Sequence, residues 1–191
     1  MNFSDPLSPR RGFIASLLSG FVGLRHRRTS NIASDLGALQ QLKPLHIGRR
    51  VITGIDAQGK SRVESEAPVP DNAQWKDSTS EGLDFWVLRG LPAPVRDSRD
   101  PLQGWKIANE APPGGAVGRI MTWQAGFEYP FHTTPTLDFG IVISGHLELR
   151  LETESRLLGP GDVVIQRGTA HAWRVPRPAP CTWAVILFDA T

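Results

Sequence analysis

A single cysteine, Cys181, stands among the 191 residues, which excludes an internal disulfide and any zinc cluster built from thiolates. No glycine-rich nucleotide-binding motif is present. Beyond the first forty or so residues, no segment carries the apolar stripe of an amphipathic helix, which argues against a helical bundle. The apolar run FIASLLSGFVGL (Phe13 to Leu24) has twelve residues, and a membrane-spanning helix needs about 20. What is abundant is turn chemistry. With 19 glycines and 16 prolines, the chain favours many short elements over a few long ones. Hydrophobic residues at 40% and charged residues at 21% fit one ordinary globular domain with an extension, not a disordered or fibrous chain.

The net charge of +2 is unevenly divided. Up to Arg50, seven Arg and one Lys oppose only Asp5 and Asp35, whereas from Val51 onward 13 basic residues oppose 17 acidic ones. A nucleic-acid reader carries its positive patch on the folded domain, so this mildly acidic body argues against that class. The basic leader, residues 1–45, has Arg10 and Arg11 before the apolar run and Arg25, His26, Arg27 and Arg28 after it. Three readings stay open for it. It resembles a twin-arginine export signal, it has the Arg- and Ser-rich, acid-poor character of a mitochondrial transit peptide, or it is an extension without an address. The last leaves the protein in the cytoplasm by default.

From Arg49 the pattern changes to short strands. RRVITGIDAQGKSRVESEAPVP reads as a hairpin turning at Gln58-Gly59, Pro68 to Gly82 as a polar loop, and GLDFWVLRGL as a strand. Asp97 to Pro113 reads as a long irregular connection. These N-terminal strands and loops, residues 46–113, are expected to pack on a barrel formed by residues 114–191. Six strand candidates crowd the barrel region: AVGRIMTWQ, LDFGIVIS, HLELRLE, DVVIQ, HAWRV and CTWAVILFDA. In LELRL, Leu147, Leu149 and Leu151 alternate with Glu148 and Arg150, so one face is expected inside. LDFGIVIS is apolar on both faces, as a strand between two packed layers would be. Trp86, Trp123, Trp173 and Trp183 are expected in the core, and His146 and Arg167 in solvent. An all-β sandwich or jelly-roll barrel with an N-terminal extension is the economical reading.

Two windows carry the chemistry. GFEYPFHTTPTLDFGIVISG spaces Gly126, His132, Thr134, Asp138 and Gly145, and GPGDVVIQRGTAHAWRV places Gly161, Gln166, Gly168 and His171 around a strand–turn–strand. Positions two apart on a strand share a face, so His132 and Thr134 point to one side, with Asp138 in the same parity. The windows resemble the two motifs of the cupin superfamily, G-x5-H-x-H-x3,4-E-x6-G and G-x5-P-x-G-x2-H-x3-N, over roughly the last 80 residues. The chain departs from them in several places. Thr134 replaces the second histidine, Asp138 the glutamate, Gln166 the proline and Val175 the asparagine, and the second motif is one residue short. Within the superfamily, HTTPTLDFGIVISGHLEL and GDVVIQRGTAHAW look like a group of small single-domain cupins. That group is similar to the cupin-domain oxidoreductases of fungal polyketide clusters and their bacterial relatives.

The resemblance implies a jelly-roll barrel holding one small ligand, and a site of His132, His171 and Asp138. As a two-His-one-carboxylate set, these three suit a divalent metal such as Fe(II), Mn, Ni or Zn. Alternatively they act directly as acid and base, or Asp138 serves only to orient a histidine. Thr134, Trp173, Trp123 and Gln166 are expected to contact substrate. The implied function is enzymatic, an oxidoreductase-type or isomerisation step on a small organic metabolite. A non-catalytic ligand-binding cupin is the alternative. A homodimer formed through the outer sheet, where Phe139, Ile141 and Ile143 lie, is expected, with neither nucleic acid nor a membrane span.

Overall fold

The structure, a computed structural model, describes residues 48–190. The arginine-rich leader lies outside the described residues, and with it every expectation about targeting. Twelve strands follow in chain order: β1 (Arg49–Ile55), β2 (Ser61–Pro68), β3 (Gln74–Lys76), β4 (Ser80–Leu88), β5 (Ala116–Trp123), β6 (Glu128–His132), β7 (Thr136–Ser144), β8 (Leu147–Leu151), β9 (Ser155–Leu158), β10 (Val163–Arg167), β11 (His171–Arg174) and β12 (Cys181–Asp189). Among the described residues, one 3-10 turn, Asp71–Ala73, accompanies them. No helix among the described residues is long and apolar enough to cross a membrane.

The strands form a six-stranded sheet, β10-β7-β12-β5-β4-β3, a four-stranded sheet, β6-β11-β8-β9, and the separate hairpin β1-β2. All pairings are antiparallel. This is an all-β jelly roll, one of the two architectures that the strand and turn pattern left open. Alternation explains which face is which. In β12, Cys181, Trp183, Val185 and Leu187 are buried while Ile186 is exposed, as the two-residue period of a strand requires. Between β7 and β8 the chain reverses at Gly145, whose φ of 75° and a Cβ position 2.1 Å from the Pro180 carbonyl oxygen admit only glycine.

Three strands were not legible. Gln74–Lys76 falls in the stretch read as a loop, and Glu128–His132 and Ser155–Leu158 were not read as strands. All three are sheet edges: β3 ends the larger sheet, and β6 and β9 bound the smaller. An edge strand buries little, so its apolar alternation is weak. β6 also contains Pro130, which only an edge strand or a bulge tolerates.

Two expectations need correction. β7 is not covered on both faces: Phe139, Ile141 and Ile143 are exposed, because no second layer of the described chain lies over them. Trp86 is not in the core; it is half-buried beneath the Arg50 guanidinium, whose carbon stands 5.7 Å from the ring centroid. The remaining three tryptophans named above are buried, and His146 and Arg167 are exposed, as expected.

The long connection after β4 is irregular but anchored. Leu102 and Trp105 are buried, and the Asn72 side-chain amide donates to the carbonyls of both, each at 2.9 Å. Asp84 on β4, fully buried, accepts from Arg119 Nε at 2.7 Å and from Trp105 Nε1 at 2.7 Å. Arg119 also donates to the Ala108 carbonyl at 2.6 Å. One carboxylate therefore ties β4, β5 and the connection together. Removing one partner of a buried pair strands the other charge, at a cost of about 3–5 kcal/mol. Asp84→Ala is expected to lower unfolding stability by about that amount in urea denaturation, and a loss within about 1 kcal/mol would show the pair to be incidental.

Candidate active site

The two sheets face a common cavity of about 340 Å³. On the smaller sheet, β11 pairs with β6 so that His171 lies directly opposite His132. On the larger sheet, β10 pairs with β7 so that Gln166 lies opposite Asp138. All seven residues singled out from the sequence (Trp123, His132, Thr134, Asp138, Gln166, His171 and Trp173) border this one cavity.

The imidazoles are neighbours, their ring centroids 4.2 Å apart and their planes inclined at 52°. His171 is buried and His132 half-buried. A carbonyl oxygen only accepts, so the 2.9 Å contact between His132 Nδ1 and the Pro130 carbonyl places the proton of a neutral ring on Nδ1. Its Nε2 lone pair is then free. His171 Nδ1 lies 2.9 Å from the Thr169 carbonyl and 2.6 Å from the Gln166 amide nitrogen. Burial pushes the His171 pKa down, opposed by the Thr169 carbonyl and reinforced by His132, so the ring is held neutral.

Asp138 is buried, and its Oδ1 has no hydrogen-bond partner among the described residues. Burial raises its pKa above 3.8, against the opposing influence of the Thr136 hydroxyl and the charges of His132 and Arg119. Thr134 sits in the break between β6 and β7, where its hydroxyl accepts from Thr136 Oγ1 at 2.8 Å. The walls are aromatic. Trp183 packs against Trp123 at 5.1 Å and Trp173 at 5.2 Å, and Trp173 meets the His171 ring edge-on at 5.4 Å. Gly140 lies two residues beyond Asp138 on the same face. A Cβ there would stand 3.1 Å from the Trp183 ring, so its missing side chain is what lets the indole lie over β7. Trp183 Nε1 is buried without a partner among the described residues.

Sequence reasoning missed Arg119, Phe127 and Tyr129 as cavity residues, and it read Trp183 only as core. Arg119 had a signal, a lone charge in the apolar strand AVGRIMTW. Tyr129 had none before β6 was known; its ring meets the His132 ring at 4.6 Å. Cys181, whose thiol burial pushes up to about 12, is no nucleophile.

Among the described residues, no three His, Cys, Asp or Glu side chains are grouped to hold one ion. Both histidines belong to the smaller sheet and Asp138 to the larger one, across the shared cavity, and Asp138 is a methylene shorter than the glutamate of the motif. Two imidazoles alone fall short of the three protein ligands usual in a catalytic zinc site.

The raised Asp138 pKa has a stability consequence. The folded state holds this proton more tightly than the unfolded chain, so the group's contribution is fully present below about pH 4 and is lost as pH rises through its folded value. Asp138→Asn removes the buried charge. The variant is expected to melt higher than the parent at pH 7, with the difference closing toward pH 4, as followed by thermal melts across that range. A difference independent of pH would contradict the assigned burial effect.

Residues 119–187, from β5 to β12, match the family described as "Cupin domain", and this span contains all seven of those residues. Phomopsin biosynthesis cluster protein C' of Diaporthe leptostromiformis is 48% identical over 135 residues, covering 68% of this chain and 71% of that protein. Oryzines biosynthesis cluster protein J of Aspergillus oryzae is 42% identical over 120 residues, covering 58% of this chain and 66% of its own length. The cupin-domain-containing oxidoreductase fogC of Aspergillus ruber is 38% identical over 130 residues, covering 65% and 62%. The matched part of this chain thus spans a little under two thirds of the Aspergillus proteins. Among solved structures, a Cupin 2 conserved barrel domain protein from Salinispora arenicola aligns with a TM-score of 0.45 at 18% identity, covering 66% of this chain and 90% of that one. The family match over β5 to β12 and the relative of which the chain covers more than two thirds carry the assignment: this chain belongs to the cupin family.

Proposed function

We propose that the protein is a cupin enzyme that moves a proton on a small ring-bearing metabolite, in an oxidoreductase-type or isomerisation step of biosynthetic tailoring. The observation that carries this reading is the facing pair His132 and His171 inside an aromatic-walled cavity. The relatives named as biosynthesis cluster proteins and cupin-domain oxidoreductases support the biosynthetic setting.

The cavity volume of about 340 Å³ falls within the range of small-molecule pockets, at its lower end. Trp123, Trp173 and Trp183 supply flat apolar surface for a ring. The free Nε2 of His132 is the base. It takes a proton from a carbon beside a carbonyl, the C–H electron pair forms a C=C bond, and the carbonyl π pair moves onto oxygen, which accepts a proton. Where a C=C bond is conjugated with that enol, delivery of the abstracted proton to its far carbon, with the oxygen giving back the proton it accepted as the carbonyl re-forms, completes an isomerisation with no external oxidant. Proton transfer to a positioned imidazole contributes about 10²–10⁴-fold to rate. The unpartnered Trp183 N–H offers a donor to a substrate oxygen.

Deuterium uptake into ring-bearing carbonyl compounds, followed by NMR in D₂O, tests this directly. His132→Ala and His171→Ala are each expected to slow exchange by about 100-fold or more. Purified protein is expected to hold well under one equivalent of divalent metal and to keep its rate under chelator. Binding without exchange would establish the non-catalytic alternative. One equivalent of metal, lost in both variants, would restore the metal centre.

A homodimer accompanies this reading. Phe139, Ile141 and Ile143 on β7, Val163 and Ile165 on β10, and Ile186 on β12 are all exposed. Register makes them one patch: Val163 pairs with Ile141, and Phe139 with both Ile165 and Ile186. Contiguous exposed apolar surface of this kind marks an interaction site, and we propose a second copy of the chain as its occupant. Light scattering is expected to return a dimer for the parent and a monomer for Ile141→Glu, whereas a monomeric parent would refute it.

A further inference from the structure

We propose that Arg119 seats the substrate, donating from the free edge of its guanidinium to a carbonyl oxygen and selecting an uncharged ring-bearing carbonyl compound over the corresponding carboxylate. The inference rests on the reading above and names the group that receives the oxygen.

Among the described residues that border the cavity, Arg119 is the one Arg or Lys. Its hydrogen bonds use a single edge. Nε donates to Asp84 Oδ1 at 2.7 Å, while Nη2 donates to Asp84 Oδ2 at 3.3 Å and to the Ala108 carbonyl at 2.6 Å. These two nitrogens lie on the same side of the planar guanidinium. Nη1 is left on the opposite side with two N–H groups, and no described residue accepts from them. Asp84 is fully buried behind the wall, whereas Arg119 keeps 8% of its surface exposed and borders the cavity, so its uncovered part opens there.

The head is also held in place. Trp75 lies against it, with the guanidinium carbon 5.4 Å from the ring centroid, a cation–π distance. Gly82 makes room for that indole, since a Cβ there would stand 2.4 Å from the Trp75 ring. A donor fixed in advance loses little freedom when a ligand arrives. Register sets its place in the chamber. Arg119 pairs with Val185 and Val185 with Gly140, and all three border the cavity. Two strand spacings, about 10 Å, therefore separate Arg119 from Gly140. Val185 and Gly140 bring no polar side chain, so a ring can lie between Arg119 and the Asp138 end, beneath the two histidines of the smaller sheet.

Charge decides the ligand class. Asp84 already balances Arg119, and the Asp77 and Asp138 side chains border the same cavity. A ligand carboxylate would add an anion to a lining whose one Arg is paired, whereas a carbonyl oxygen accepts the two N–H groups and adds no charge. As His132 withdraws the proton, negative charge gathers on that oxygen, and a fixed guanidinium edge then holds it more strongly.

Acetophenone, ethylbenzene and benzoate share a ring and differ in oxygen. NMR titration of each against the full-length protein reads affinity independently of turnover. The parent is expected to bind acetophenone about 10-fold or more tighter than either of the others, as one hydrogen bond to a charged group provides. Arg119→Lys keeps a charge opposite Asp84 but has no second edge. It is expected to bind ethylbenzene as the parent does and to lose the preference for acetophenone. The double variant Asp84→Asn with Arg119→Met removes both charges together, is expected to show the same loss, and serves where the lysine variant does not fold. A parent that binds ethylbenzene or benzoate as tightly as acetophenone would overturn the inference. So would a preference that survives in either folded variant, because a merely structural Arg119 weakens all three compounds alike and leaves their ratio unchanged. Failure of the acid–base reading shows separately, as deuterium exchange at the acetophenone methyl group unaffected by His132→Ala while the binding preference stands.

Discussion

The pairing of β11 with β6 is the constraint on which the site depends. It sets His171 opposite His132, then slips: Trp173 pairs with Tyr129, so that three steps on β6 match two on β11. A bulge of this kind bends an edge strand and re-aims its side chains. Pro130 sits inside it, where a residue without an N–H forfeits no ladder bond. Its carbonyl instead accepts from His132 Nδ1, which decides how that ring is protonated.

Burial then separates the roles of the ionisable groups. His171 is held neutral, Asp138 is pushed toward its protonated form, and Arg119 is neutralised by Asp84 behind the cavity wall. The result is a chamber with hydrogen-bonding groups, bounded by indole and phenyl surfaces, whose lining also includes the Asp77 carboxylate, held ionised by the Thr79 and Ser80 groups that donate to it. Such a site favours a flat, uncharged ligand over a phosphate or a nucleic acid. The unsatisfied atoms of Asp138 and Trp183 are destabilising in the free protein, a usual accompaniment of a binding site.

How much of this was legible can be traced residue by residue. His132, Thr134, Asp138, Gln166 and His171 border the same cavity, but not through the parity of one strand: His132 ends β6, Thr134 lies in the break after it and Asp138 stands on β7. Parity does not give distance. Asp138 borders the cavity from the larger sheet and the two histidines from the smaller one, which no local pattern could tell. The edge strands escaped notice because half-exposed strands carry little alternation, and Tyr129 escaped with them. Arg119 was visible as a charge in an apolar strand, but its partner Asp84 lies 35 positions away.

Composition, turn residues and two-residue alternation were enough to determine an all-β chain and the side of each strand that faces inward, because these depend on neighbours a few bonds apart. Tertiary structure alone decided which inward groups meet. It set the two imidazoles side by side, kept the carboxylate on the opposite wall, and placed a glutamine amide against His171. Those outcomes depend on register between strands distant in the chain and on the depth at which each group is cut off from water, and neither quantity is local.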